Sequence, residues 1–297
     1  MQFFFEVLIG GLLAGVMYSL VALGFVLIYK ASGVFNFAQG AMVFFAALTT
    51  VGFIDLGVNF WLAVSLAFLA MVALAFFTER VVLRPLINQP QITLFMATIG
   101  LTFLVEGTAQ LTWGAQVHAL DLGIADEPLD WIAQGTGMSI SKFDLVASGI
   151  AAALVAVLAL FFNKTRTGRA LRAVADDHQA ALAVGISLQR IWVIVWMVAG
   201  FVALVTGLLW GARNGVQFAL TFLALKALPV LILGGFESIA GAIVGGLIVG
   251  ASEKLAEVYI GPHVGGGIES WFPYVLALVF LLVRPEGLFG ERRIDRV

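Results

Sequence analysis

Few residue types in this sequence are placed to make or break bonds. There is no cysteine, which removes disulfides, thiolate nucleophiles and Cys-ligated metals. His118, His178 and His263 lie far apart and match no metal spacing. No lysine follows a glycine, so the Gly-Lys end of a P-loop is missing, and no Gly-x-Ser-x-Gly elbow occurs. What remains is a small set of polar groups inside long apolar runs. Thr98, Thr102, Glu106 and Gln110 recur every four residues, and Lys226 precedes Pro229 in another run. Asn36 and Gln39 sit in a glycine-bearing break, Glu237 and Ser238 in a second. A charge at mid-bilayer costs about 2.5–3.5 kcal/mol on insertion scales, so each such group needs a partner or a cavity. No nucleophile–base pair stands out among them, and we expect neither enzymatic activity, a cofactor, a bound metal nor a nucleic-acid partner.

The elements that position these groups follow from composition. Hydrophobic residues make up 61% of the 297 and charged residues only 11%, against about 25% charged in soluble domains. A mean hydropathy of +1.04 is too much apolar surface for one soluble core. Lipid must be the solvent for most of the chain. Apolar stretches run over about 7–28, 41–54, 61–82, 92–111, 143–162 and 191–211, then over a shorter pair at 222–233 and 239–251, and last over 271–283. The first reaches roughly 33 Å as a helix, which spans a bilayer, and no basic residue precedes it, so it reads as a retained helix. The expected fold is all-α: one polytopic transmembrane helix bundle over 1–297, with seven clear spans plus a short broken pair, about 8–9 hydrophobic segments in all. The pair either spans twice or enters and leaves on one side.

Basic residues set the orientation. The loop 163–190 holds Lys164, Arg166, Arg169, Arg172 and Arg190, and the tail holds Arg284, Arg292, Arg293 and Arg296. The loop 113–142 is acidic, with Asp121, Asp126, Glu127 and Asp130. Placing both basic regions in the cytoplasm also puts Lys30, Arg80 and Arg84 there, twelve of the sixteen basic residues in all, as the positive-inside rule requires. The N-terminus is then periplasmic and the C-terminus cytoplasmic.

Several features admit two readings from pattern alone. The stripe through Glu106 drifts only about 40° per step on a helix, so it faces one sector; it is either an interhelical hydrogen-bond seam or a pathway lining. Lys226 either snorkels to the surface or pairs with an acid such as Glu237 or Glu106. The two breaks are either glycine turns at helix ends or discontinuous helices around a central site. Small residues at four-residue intervals (Gly11, Gly15, Ser19; Ala203, Gly207, Gly211; Gly241, Gly245) let helix backbones approach closely. Residues 169–184, with Leu171, Val174, Ala175 and Leu182 against Arg172, Asp176, Asp177 and Gln179, read as one short amphipathic helix off the membrane. It either anchors at the surface or docks a cytoplasmic partner.

Four landmarks in order resemble the permease subunits of branched-chain amino acid ABC transporters. Gly33, Val34, Phe35, Asn36, Phe37, Ala38, Gln39 and Gly40 resemble that family's first re-entrant signature. Gly168, Arg169, Ala170, Leu171, Arg172, Ala173 and Val174, followed by Ala181, Gly185 and Ile186, resemble its cytoplasmic coupling loop. Gly234, Gly235, Ser238, Gly241, Ala242, Gly245, Gly246, Gly250 and Glu253 resemble its glycine-rich segment, and the run Arg284 to Gly290 its C-terminal ending. The resemblance implies a pore formed with a second permease subunit, identical or different, and two cytoplasmic ATP-binding subunits docked on the coupling loops. It also implies a periplasmic substrate-binding protein and residence in the bacterial inner membrane. ATP is then the partners' substrate. Asn36, Gln39, Glu106, Glu237 and Ser238 become candidates for the substrate pathway, and Gly168, Arg169, Arg172, Ala173, Ala181 and Gly185 for ATPase coupling.

The chain departs from the family pattern at Gln39 and Ala41, where many members carry His and Glu, and at Glu237, where a glycine is frequent. Relatives also move urea and short amides, which makes such solutes the alternative cargo. A non-ABC channel or secondary transporter is the alternative mechanism.

The charge split predicts that a reporter fused after Val297 reads cytoplasmic and one inserted near Asp126 reads periplasmic. Opposite readings at both positions would overturn the orientation.

Overall fold

The computed structural model describes residues 2–86, 89–176 and 178–290. Arg292, Arg293 and Arg296 of the basic tail, and Asp177 of the amphipathic stretch, lie outside the described residues.

Among the described residues, nine apolar helices correspond to the nine stretches. They are α1 (Gln2–Ser32), α2 (Gln39–Asp55), α3 (Phe60–Phe77), α4 (Gln91–Trp113), α6 (Lys142–Lys164), α9 (Leu188–Asn214), α10 (Leu223–Gly234), α11 (Ile239–Tyr259) and α13 (Phe272–Val283). Short helices α5 (Asp130–Thr136), α7 (Arg166–Asp176), α8 (His178–Ala183) and α12 (Gly261–Val264) lie between them. Among the described residues, six helices are long and apolar enough to cross a bilayer: α1, α3 with its extension to Leu86, α4, α6, α9 and α11. This is an all-α polytopic bundle.

The lengths are distributed differently from the sequence expectation. Helix α11, expected as the short run 239–251, continues to Tyr259 and has 21 residues. Its partner α10 has only 12 residues but follows a 3₁₀ stretch, Phe218–Phe222. End to end these reach at most roughly 28 Å, close to the ~30 Å hydrocarbon thickness. The pair therefore has the length to cross twice. Conversely α2 and α13, expected as full spans, have 17 and 12 residues.

The chain divides into two compact units. The first contains 1–22, 123–156 and 225–297. Here the amino-terminal part of α1 packs on α11 through small residues. A Cβ on Gly246 would strike Ser19 Oγ and the Gly15 carbonyl, and one on Gly250 would strike Gly15 and Gly11. The Gly11–Gly15–Ser19 stripe thus meets Gly246 and Gly250. The expected Gly241–Gly245 stripe instead faces Val230 and Gly234 of α10. Pro229 inside α10 has no N–H, which frees the Leu225 carbonyl. The Tyr274 hydroxyl of α13 donates to that carbonyl at 2.8 Å, so no backbone acceptor is stranded there.

The second unit contains 23–122 and 157–224. Its centre is α2, in which every residue from Gln39 to Gly52 except Phe45 is buried. Gly207 of α9 lies against the Val43 carbonyl and Ala47, and Gly40 lies against the Thr221 carbonyl. With no hydrophobic advantage over lipid, such close approach is what holds helices together in a membrane. Helix α3 begins at an Asn59 cap, whose side chain accepts from Trp61 N at 3.0 Å. It widens at its other end into a π-turn, Thr78–Leu83.

Candidate functional site

The first break is a re-entrant turn within the second unit. Helix α1 ends at Ser32, yet the Gln39 side chain that opens α2 lies against Gly24, eight residues earlier. At ~1.5 Å per residue the Gln39 amide reaches a level of α1 roughly 12 Å before its end. A helix N-terminus, with its partial positive charge, is thereby turned in among the spans. Asn36 builds the turn. Its Oδ1 accepts from Ala38 N at 3.0 Å, and its Nδ2 donates to Gln39 Oε1 at 3.4 Å and lies 3.6 Å from Met42 Sδ. Both amides are fully buried, and Gln39 Nε2 has no partner among the described residues. Phe25, Phe35, Phe37 and Phe95 form a ring-on-ring chain beside them, with centroids 4.7–4.8 Å apart.

The polar stripe of α4 joins this site. Thr98 accepts from Phe37 N at 3.3 Å and lies 3.2 Å from the Phe35 carbonyl, fastening the re-entrant turn to α4. Thr102 donates to the Thr98 carbonyl. Glu106 is buried beside the Thr221 hydroxyl. Thr98 and Glu106 are buried and Thr102 and Gln110 half-buried, so the stripe shares one sector, in which Thr98 bonds to the re-entrant turn and Thr102 to its own helix.

The second break, in the first unit, is a turn between α10 and α11. Gly235 has φ +101°, a left-handed conformation that favours glycine. Ser238 caps α11, accepting from Gly241 N at 3.0 Å, and Glu237 is exposed. The carboxy-terminal segment closes the turn: Leu288 N donates to the Leu233 carbonyl at 2.8 Å and Phe289 N to that of Gly234 at 3.1 Å. This is the glycine-turn alternative, pinned by the chain's ending.

Lys226 pairs with neither Glu237 nor Glu106, and it does not rely on snorkelling. Its Nζ lies 2.9 Å from Glu253 Oε1 and 3.4 Å from the Tyr18 hydroxyl, which itself donates to the same Glu253 oxygen at 3.1 Å. Its ammonium also stands 5.7 Å from the Tyr18 ring centroid. The side chain of Glu253 is 2% exposed. Sequence reasoning noted Glu253 only as part of a glycine-rich motif. The available signal was an acid within helical reach of the apolar run after 239, opposite a lone intramembrane lysine. A second pair that it missed lies at the π-turn of α3, where Arg84 grips buried Glu79 through Nε and Nη2 at 3.0–3.2 Å.

The loop between α6 and α9 folds as two helices, α7 and α8, where one was expected. Thr165 Oγ1 accepts from Gly168 N at 3.0 Å, and a Cβ on Gly168 would strike the Phe162 backbone, so glycine lets α7 close against the end of α6. Gly185 has φ +84°, with Ile186 N bonded to the Ala181 carbonyl and Gly185 N to that of Leu182. Those two bonds are a Schellman cap on α8. Leu171, Val174 and Ala181 are buried. Arg172 donates to Asn163 Oδ1 at 3.0 Å, Arg169 is exposed and Ala173 half-buried. Of the apolar face expected for this stretch, Leu171 and Val174 are thus turned inward, whereas Leu182 is exposed. Arg166, Arg169, Leu182 and Val184 are among the exposed residues of the loop.

The six helices long and apolar enough to cross a bilayer, with a buried glutamate paired to a lysine among the apolar helices, define a multi-pass membrane protein. Residues 7–284 match the family described as the branched-chain amino acid transport system / permease component, and the chain belongs to that family. It is similar to the high-affinity branched-chain amino acid transport system permease protein LivH of Escherichia coli K12, at 29% identity over 99% of this chain and 98% of that protein. Its similarity to the permease protein BraD of Pseudomonas aeruginosa is 27% over the same shares. A probable LivH of Methanocaldococcus jannaschii is 26% identical over 91% of this chain and 88% of that one. Among solved structures, PsaBC from Streptococcus pneumoniae in complex with Fab shares the fold, with a TM-score of 0.50 and 13% identity, over 92% of this chain and 89% of that one.

The Lys226–Glu253 pair predicts a specific pattern of stability. Lys226→Met alone leaves a buried carboxylate unpaired and should cost roughly 3 kcal/mol or more, whereas pairing it with Glu253→Gln should recover most of the loss. Thermal melting of the detergent-solubilised protein measures both. A double variant no more stable than the single one would contradict the pairing.

Proposed function

We propose that the chain, acting as one permease domain over 1–297, is the translocation subunit of an ATP-binding-cassette importer for branched-chain or related amino acids. The observation that carries this reading is the family match from residue 7 to residue 284, with relatives named as branched-chain amino acid permeases aligned over nearly their whole length. In this reading a second permease subunit completes the pore, a periplasmic protein delivers the amino acid, and two ATP-binding subunits drive the cycle from the cytoplasm. The chain sits in the bacterial inner membrane with its N-terminus periplasmic and its C-terminus cytoplasmic.

The re-entrant turn is the proposed pathway element. A positive helix start suits a substrate carboxylate, the Asn36 and Gln39 amides supply further hydrogen bonds, and Phe35 and Phe37 offer an apolar wall to an aliphatic side chain. Both amides are sealed in the present conformation, so the segment 33–38 moves to open the route. Glu106 lies on the same unit's polar seam. Glu237, exposed, and Ser238, committed to its cap, are proposed to flank the route at the second turn.

Helices α7 and α8 are the proposed coupling element, with Gly168, Ala181 and Gly185 shaping it and Arg169, Arg172 and Ala173 meeting the ATPase. Arg172→Glu should abolish substrate-stimulated ATP hydrolysis in the reconstituted complex. Losing a central anchor commonly costs over ~2 kcal/mol of binding, so co-purification of the ATP-binding subunits separates lost assembly from lost coupling. Asn163→Ala removes the same internal hydrogen bond without reversing charge and should retain activity. Normal stimulated hydrolysis in Arg172→Glu would contradict the assignment.

A further inference from the structure

A cleft of about 480 Å³ opens where α3 and α9 end on one side of the second unit. Its walls come from Phe76, Glu79, Arg80, Arg84, Ser187 and Arg190, closed on the apolar side by Val193 and Ile194. Three arginines and one carboxylate, with Gln189, therefore line the cleft, and that carboxylate is already taken by Arg84. Arg80 and Arg190 are exposed and bring charge that the cleft itself does not neutralise. Ser187 immediately precedes α9 but its side chain does not cap it, which leaves the hydroxyl able to donate at the positive end of a 27-residue helix. The volume falls in the ~300–1,000 Å³ range of small-ligand sites.

The apolar side of the cleft identifies the occupant. Phe76 is half exposed, at 52%, on a spanning helix, and Val193 and Ile194 continue that surface on α9. These residues belong at the depth of acyl chains, while the arginines stand where the spans end, at the depth of headgroups. Arg80 lies in the π-turn Thr78–Leu83 and Arg84 directly follows it, and π-turns recur at functional sites. We propose that this cleft binds the phosphodiester headgroup of an anionic phospholipid, its acyl chain lying along Phe76, Val193 and Ile194. Basic pockets between spanning helices on the cytoplasmic side are suited to such headgroups. The assignment to the cytoplasmic leaflet rests on the proposed orientation; binding itself does not, so a wrong topology and an absent site give different results.

Native mass spectrometry of the full chain in detergent, titrated with dioleoyl phosphatidylglycerol or dioleoyl phosphatidylcholine, tests the site. Phosphatidylglycerol should be retained preferentially, and Arg80→Gln/Arg190→Gln should erode that preference by roughly fivefold per arginine removed. Lys164→Gln, which removes a basic residue outside the cleft, should leave it intact. Because the chain has no cysteine, Val193→Cys gives a single thiol and a second readout that needs no arginine variant. Phosphatidylglycerol, but not phosphatidylcholine, should slow its alkylation by maleimide. Equal retention of the two lipids, or an unchanged preference in the double arginine variant, would overturn the proposal. Displacement of phosphatidylglycerol by an equimolar amount of inorganic phosphate would make this a free-anion site and overturn the lipid assignment. Unaltered lipid binding together with lost co-purification of the ATP-binding subunits would assign the arginines to a protein partner instead.

Discussion

Where no water is available, every charge and every backbone acceptor must find its partner inside the protein, and this constraint shapes each functional feature of the chain. Glu253 can sit 2% exposed in a spanning helix because Lys226 and Tyr18 share one of its oxygens. Glu79 can be buried because Arg84 chelates it from the next turn. Pro229 can interrupt α10 because the Tyr274 hydroxyl takes the carbonyl it frees. Removing one member of any such set strands a group in a medium that cannot solvate it, which is costlier than removing both.

The same absence of water leaves van der Waals contact as the main attraction between helices. Glycines at 15, 246 and 250 bring backbones together in the first unit, and those at 40 and 207 do so in the second. Close packing around α2 accommodates a helix that starts with its first side chain turned back against its predecessor. Its turn is covered by Phe35, Phe37 and Phe95 and fastened by Thr98. A buried turn of amides and aromatic rings, held by few hydrogen bonds, is a place where a transporter could bind a solute weakly and release it.

Hydropathy made all nine apolar helices legible in the sequence, because bilayer thickness imposes a length that composition reveals directly. It failed where a charge is neutralised over distance. The run after 239 stops reading as apolar at Ser252, Glu253 and Lys254, yet the helix continues to Tyr259 because Glu253 is paired with residues 27 and 235 positions away. No local pattern encodes those partners. The amphipathic loop shows the complementary limit: its periodicity announced a two-faced helix, but burial of Leu171 and Val174 within the chain could not be told from burial against a partner. Its glycines were informative for a different reason than the motif suggested. Gly168 permits a close approach and Gly185 a left-handed cap, so both shape the element that Arg169 and Arg172 decorate. The four ordered landmarks carried the family, and the whole-chain match agrees with them.

In the proposed function, solute movement through this chain is driven by ATP hydrolysed on partner subunits. Proteoliposomes holding this chain with its partner subunits, loaded with ATP and supplied outside with binding protein and radiolabelled leucine, measure it directly when ionophores collapse all ion gradients. Uptake should persist under ionophores and stop when ATP is omitted. Uptake that stops under ionophores, or that proceeds without ATP, would contradict it.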